Sequence, residues 1–208
     1  MIKKILRLFK KILSVNEEKI FAKNPKKFWE RVAKKHSIVY GLSRHDFEVI
    51  NKLLALTKAK KILDFGCGSG RLFPIYLQNN AEEIVGIDIS EIALKIAQER
   101  YPSNKIKTFS KSIFEIEFPE KYFDFINCTR VLQHMNENEI AAVIERLCSL
   151  SDHIYINEMS SSDLKTIYFI HKYDYLALFQ KQGYHITESG MIDNQKYFLF
   201  SKTDSSSN

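Results

Sequence analysis

The stretch KILDFGCGSGRL, residues 61–72, decides the fold. A short apolar run that suits a buried strand ends in glycines at three alternate positions, Gly66, Gly68 and Gly70. A glycine turn between a strand and a helix lets a ligand approach bare backbone, and the helix N-terminus behind it adds N–H donors. Gly66 and Gly68 satisfy the first two positions of the dinucleotide fingerprint G-x-G-x-x-G/A, but Arg71 occupies the third, where close helix–strand packing needs a small side chain. Asp64 adds a carboxylate at the strand end. It would repel a pyrophosphate and attract a cationic amino group.

Working outward, Asp88 closes the next strand in VGIDIS, 24 positions after Asp64. A carboxylate there can accept both hydroxyls of a ribose. Together the two aspartates suit an adenosine joined to an amino acid. Taken singly, each has a plainer reading, the glycines as a tight turn and Asp88 as the cap of a helix starting near Ser90.

The strand-like segments KILDF, EIVGIDI, KIKTF, YFDFINC and HIYINE alternate with helical stretches, clearest over residues 70–79, 91–100 and 137–150. This alternation predicts a mostly parallel, doubly wound α/β sheet covered on both faces. A helix over residues 173–181 stops at Gly183. YHITES and KYFLFS then flank the short loop GMIDNQ, so they must form an antiparallel hairpin. Ahead of the sheet, Asn24-Pro25 predicts the start of a helix running to about residue 35, and Ser43 with Asp46 predicts another over residues 43–57.

The chain of 208 residues suits one domain. We divide it into a basic amphipathic helix (1–15), a helical cap (16–58), the α/β domain (59–202) and a disordered tail (203–208). No apolar run approaches the roughly 18 residues that cross a bilayer, and basic residues interrupt the N-terminus too often for a signal peptide. Cys67, Cys128 and Cys148 are odd in number and widely spaced, which predicts reduced thiols, no metal cluster and a cytoplasmic protein. The net charge of +6 is uneven. The first 35 residues hold 12 Lys and Arg against 3 Asp and Glu, leaving 19 basic and 22 acidic residues in the remainder. An acidic body disfavours nucleic acid. For residues 1–13 three readings stay open: peripheral contact with an anionic membrane surface, packing on the domain, or binding of a nucleic acid or an acidic partner.

ILDFGCGSGRL, VGIDIS, YFDFINCTRVLQHM and YFLFSK, taken in order, resemble the successive motifs of class I S-adenosylmethionine-dependent methyltransferases, across about residues 61–202. The resemblance implies a Rossmann-like seven-stranded sheet of order 3-2-1-4-5-7-6 with strand 7 antiparallel, and S-adenosylmethionine as cosubstrate. It also implies that Asp64 lies near the cosubstrate's amino group, Gly66 and Gly68 along its methionine part, Asp88 on the ribose and Ile89 on the adenine. Cys67 and Gly70 complete the loop, and Thr129 and Arg130 follow strand 4. After strand 3 the family often has an aspartate near the adenine amino group. Here Ser112 stands in its place, a neutral and weaker acceptor, with Ile113 on the ring.

Methyl transfer from a sulfonium asks the protein mainly to position the acceptor and exclude water, with a general base where the acceptor is a hydroxyl. The catalytic candidates are His134 in LQHM, Glu158 in INEM and His171 in FIHKYDYL. Two of them also have a structural reading, His134 as a helix-capping or packing residue and His171 as part of a half-buried helix face. Tyr168, Tyr173 and Tyr175 are expected near His171 as an aromatic wall. Trp29 and Tyr40 are expected in a cover over the cosubstrate. Gln133 replaces the glutamate of relatives that use a divalent metal, so no metal site is expected. The expected activity is methylation of a hydroxyl or amine on a small polar metabolite, with a surface-glycan or lipid-linked precursor suggested by the basic arm. A non-catalytic S-adenosylmethionine-binding module and a nicotinamide-dependent oxidoreductase are the alternatives.

Overall fold

A computed structural model describes residues 19–36, 44–159, 171–192 and 195–202. The basic arm, Tyr40, Ser43, Tyr168 and the tail lie outside the described residues. Five strands run parallel: β1 (Lys61–Phe65), β2 (Glu83–Ile87), β3 (Ile106–Phe109), β4 (Phe125–Thr129) and β5 (His153–Met159). A hairpin of β6 (Tyr184–Ile192) and β7 (Gln195–Lys202) finishes the sheet, with β7 antiparallel to β5. The order is 3-2-1-4-5-7-6, so the strand order reverses between β1 and β4. In open α/β sheets that reversal opens a crevice at the strands' carboxyl ends.

The helices are α1 (Pro25–His36), α2 (Arg44–Thr57), α3 (Phe73–Gln78), α4 (Glu91–Arg100), α5 (Ile140–Leu150) and α6 (Tyr175–Gln180). Successive strand residues point to opposite faces, so neighbours enter different cores. Ile62, Ile84, Phe125, Tyr155 and Leu199 meet α2, α3 and α4 through Leu53, Phe73 and Leu94. Leu63, Val85, Ile126, Ile154 and Phe200 meet α5 and α6 through Ile144, Leu147 and Phe179. Each large apolar side chain so buried contributes roughly 1.5–3 kcal/mol. The two-sided burial explains why these strands read as unbroken apolar runs.

Several boundaries differ from the sequence reading. The helix expected over residues 70–79 begins only at Phe73, because Gly70 sits at φ +73° and keeps the loop out of helical geometry. The helix expected from residue 137 begins at Ile140, since the Asn136 side chain accepts from the Asn138 and Glu139 N–H groups and folds the chain into a turn first. Asp174 caps α6 by accepting from the Ala177 N–H, so that helix starts at Tyr175 rather than at residue 173. The hairpin pairs through Gly190↔Tyr197, Met191↔Lys196 and Ile192↔Gln195, so most of the expected loop GMIDNQ is strand. The Asn24 cap forms as expected, with its side chain accepting from the Lys27 N–H at 2.9 Å.

Candidate functional site

The glycine loop is tied to the end of β2, where the N–H groups of Gly66 and Cys67 both donate to the Ile87 carbonyl at 2.8 and 3.1 Å. This backward turn requires φ values of +75° at Gly66 and +52° at Gly68, which L side chains rarely adopt. The two glycines serve different ends. A Cβ on Gly66 would lie 2.6–2.7 Å from Val131, so that position brings the loop onto the segment after β4. A Cβ on Gly68 would meet nothing within 4 Å, so its backbone faces open space. That space is a cavity of about 1130 Å³, ample for a nucleoside-sized ligand and an acceptor together.

Asp64 lines this cavity at the end of β1 and is buried. Its register partner on β4 is Asn127, whose side-chain amide donates to Asp64 at 2.7 Å and accepts from the Thr129 hydroxyl at 2.8 Å. Burial raises the Asp64 carboxyl to about 6, against the opposing effects of Asn127 and Arg71. A buried acid with so raised a value is stabilised as a carboxylate when a cationic group arrives beside it. Arg71 is not a misplaced fingerprint residue. It pairs with the buried Asp46 of α2 at 2.5 Å and joins the helical cap to the loop.

Asp88, half-buried after β2, accepts from the Gly68 N–H at 2.9 Å and from the Ser90 N–H at 2.8 Å. Burial raises its carboxyl and those two bonds lower it. Each oxygen keeps a second lone pair for a ligand hydroxyl. Ser90, not Asp88, caps α4 by accepting from the Ala93 N–H. Ile89 stands exposed on the cavity wall, with Ser112, buried Ile113 and exposed Phe114 across from β3's end. Ser112 is held by its own N–H, which donates to the Glu115 carboxylate at 2.7 Å.

The cavity's roof is aromatic. Phe21, Phe28 and Trp29 pack edge to face, and the Trp29 ring lies 5.0 Å from that of His134 in the short turn Leu132–His134. Lys26 of α1 pairs with Glu91 at the start of α4. Thr129 and Arg130 line the same cavity, and Arg130 donates to Gln195 at 3.1 Å.

The three catalytic candidates separate. His134 lines the large cavity, and His171 lines both it and a smaller adjoining pocket of about 290 Å³. Glu158 belongs to the smaller pocket alone. One of its oxygens accepts from the N–H groups of Val131 and Leu132, at 3.1 and 2.8 Å, and so supports the turn carrying His134. Burial raises its carboxyl to about 8. The His171 and Tyr173 rings stack at 5.8 Å, and Tyr175 packs edge-on against Tyr173 rather than against His171. Sequence reasoning missed Asn127, Asp46, Phe21, Phe28 and Phe114. Only Asn127 had a usable signal, because its place in FINC follows from aligning β4 with β1.

Residues 62–151 match the family model described as a methyltransferase domain. An uncharacterized methyltransferase of Schizosaccharomyces pombe is 32% identical over 102 residues, covering 42% of this chain and 35% of that protein. A ubiquinone biosynthesis O-methyltransferase of Alkalilimnicola ehrlichii is 25% identical over 142 residues, covering 66% of this chain and 57% of that protein. The chain thus spans only about a third of the first curated relatives it matches. Magnesium protoporphyrin IX methyltransferase of Synechocystis, solved with bound S-adenosylmethionine, shares the fold with a TM-score of 0.65 at 19% identity, over 91% of this chain and 97% of that one. The sheet order is that of the Rossmann-like methyltransferase fold, and the glycine loop with Asp64 and Asp88 lies within the matched residues.

Proposed function

We propose that the chain transfers the methyl group of S-adenosylmethionine to a hydroxyl or amine of a small polar metabolite. The observation that carries this is the buried Asp64 carboxyl beside the open backbone of Gly68, with Asp88 on the same wall. Asp64 holds the amino group of the methionine part, Gly66, Cys67 and Gly68 shape the space around it, and Asp88 takes the ribose. Ile89, Ser112, Ile113 and Phe114 enclose the adenine. When bound, the cosubstrate supplies an electrophilic methyl carbon on a sulfonium, so the protein's task is placement and exclusion of water. The roof of Phe21, Phe28 and Trp29 serves that exclusion. His134 is the proton acceptor for a hydroxyl acceptor, because it lines the cavity and is held in place by Trp29 and the Glu158-supported turn. The suggestion of a glycan or lipid-linked acceptor rests on residues 1–13, outside the described residues, and the cavity adds nothing to it. Among the described residues no helix is long and apolar enough to cross a membrane.

Calorimetry tests the reading. S-adenosylmethionine and its demethylated product should bind in roughly the micromolar range, with no heat for NAD. Asp88→Ala should weaken binding about tenfold or more by removing charge-assisted hydrogen bonds to the ribose. Binding of NAD alone would overturn the assignment. Binding without turnover across a screen of acceptors would point to a non-catalytic module.

A further inference from the structure

Arg130 is the first residue past β4, and its backbone takes a left-handed φ of +57° while its N–H still donates to the Asn157 carbonyl of β5 at 2.9 Å. A bulky side chain rarely holds such a conformation, and where one does, the strain points to a task for that side chain. The guanidinium runs sideways across the sheet. Its Nε donates to the Gln195 side chain at 3.1 Å, and Gln195 opens β7, which β5 separates from β4. With strands about 4.8 Å apart, the group lies over the end of β5, on the side away from β1 and Asp64. Both residues line the large cavity. Only Nε is engaged. Among the described residues the two outer nitrogens make no hydrogen bond and no carboxylate oxygen lies within 4.0 Å, yet neither nitrogen is closed off from solvent. Arg31 of α1, exposed in the same lining, likewise has no acid partner among the described residues. Of the cavity's other charges, Asp64, Asp88 and Lys111 stand beyond β1, β2 and β3, and Arg71 is paired with Asp46. Glu139, just before α5, is the one acid left against Arg31 and Arg130, so this half of the crevice carries a surplus of fixed positive charge.

We propose that Arg130 selects a methyl acceptor bearing an oxyanion, a carboxylate or a phosphate, gripped by the two outer nitrogens of the guanidinium while Gln195 holds the third. A planar guanidinium offers such a group two parallel N–H bonds, a match that a lysine cannot reproduce. The bond to Gln195 sets the plane of the fork before the ligand arrives, so less freedom is lost on binding. The oxyanion is thereby anchored on the β5–β7 side of a cavity whose lining also holds His134, and the rest of the acceptor extends toward the cosubstrate's side. The role as acceptor anchor rests on the methyltransferase reading; the grip on an oxyanion does not.

The test uses benzoate and phenyl phosphate as probes and benzamide, the neutral isostere of benzoate, as control. Each is titrated into the full chain, alone and with S-adenosylhomocysteine, and followed by the arginine Nε–H signals in two-dimensional NMR. At least one anion should bind saturably, about tenfold or more tighter than benzamide, and shift the Arg130 signal, identified by its loss in Arg130→Gln. The tighter of the two names the oxyanion. Arg130→Gln should reduce that affinity to the level of benzamide, and Arg130→Lys, which keeps the charge without the fork, should recover only part of it. Affinity for S-adenosylhomocysteine should stay within about twofold in both variants, which also reports that they fold. Anions that bind no better than benzamide, no saturable binding of either anion, or an anion affinity indifferent to Arg130→Gln would each overturn the proposal. So would a loss of S-adenosylhomocysteine affinity of about tenfold in Arg130→Gln, because the guanidinium would then hold the cosubstrate's own carboxylate. Failure of S-adenosylhomocysteine to bind the unaltered chain strikes the cosubstrate reading instead, so the two failures are distinguishable.

Discussion

The two halves of the crevice are built from different materials. On the β1–β2 side the walls are backbone and two aspartates, set within 25 consecutive residues and fixed by positive-φ glycines and strand ends. On the β4–β5 side the walls are side chains drawn from far apart, Phe21 and Trp29 from one end of the sequence and His134, Glu158 and His171 from the other. The first half has little freedom to vary without losing its shape. The second can change its lining residue by residue while the sheet stays intact. A fixed socket beside a variable one is what an enzyme with a constant cosubstrate and an individual acceptor requires.

The glycine loop is where the rigid half breaks most readily. Gly66→Ala combines a left-handed backbone with a contact of 2.6–2.7 Å to Val131, including its Cβ, so the strand-end segment itself must shift. The expected cost is about 3 kcal/mol or more, with cosubstrate binding lost. Gly68→Ala shares the strain but meets no atom, so its cost should be roughly 1–2 kcal/mol, with the fold retained and the cosubstrate's place encroached on. Chemical denaturation together with calorimetry separates the two. If both substitutions behave alike, the loop's two glycines do not have the distinct tasks assigned to them.

Protons sharpen the comparison next, because each half has one buried acid. Both have folded values above their unfolded ones, so the folded state binds these protons more tightly and stability falls as pH rises. For Asp64 the loss runs from about 4 to about 6, and a shift of that size is on the order of 3 kcal/mol. For Glu158 the loss continues to about 8. Over the Asp64 window cosubstrate affinity should move the opposite way, rising as the carboxylate forms and meets the ligand's ammonium. Asp64→Asn should flatten that affinity profile and leave the stability slope between pH 6 and 8. Glu158→Gln should do the reverse. Denaturant midpoints and calorimetry from pH 5 to 8 check both, and an affinity that ignores pH would remove Asp64 from the ammonium's side.

The same contrast explains what the sequence disclosed. Strand positions, the hairpin and the loop with Asp64 and Asp88 were legible because their signals are local: apolar runs, glycine spacing, an acid at a strand end. The sheet order came with the family resemblance those residues carry. Asp46 was read as a first-turn helix acid and Arg71 as a register fault, yet each is the other's partner across 25 positions. No local pattern announces such a pair. Glu158 was taken for a catalytic candidate from its place at the carboxyl end of strand 5, and its position under the Val131–Leu132 N–H groups depends on how β5 lies beside the turn. Helix starts erred where side chains of Asn136 and Asp174 competed for the backbone, an effect that propensity does not rank.

The smallest effect concerns how the variable half is roofed. Two ion pairs reach from the cap to the domain: Arg71–Asp46, with both side chains largely withdrawn from water, and Lys26–Glu91, with side chains 47% and 66% exposed. Exposed pairs are screened and lose side-chain entropy, so they contribute little. Meanwhile Phe21 and Trp29 already bind the cover to the domain through ring contacts with His134 that salt does not weaken. Lys26→Ala should therefore leave the melting temperature and cosubstrate affinity unchanged within error, at low and high salt alike. A clear loss at low salt that vanishes at high salt would mean that charge, rather than aromatic packing, seats α1 over the crevice, and the roof would then open with ionic strength.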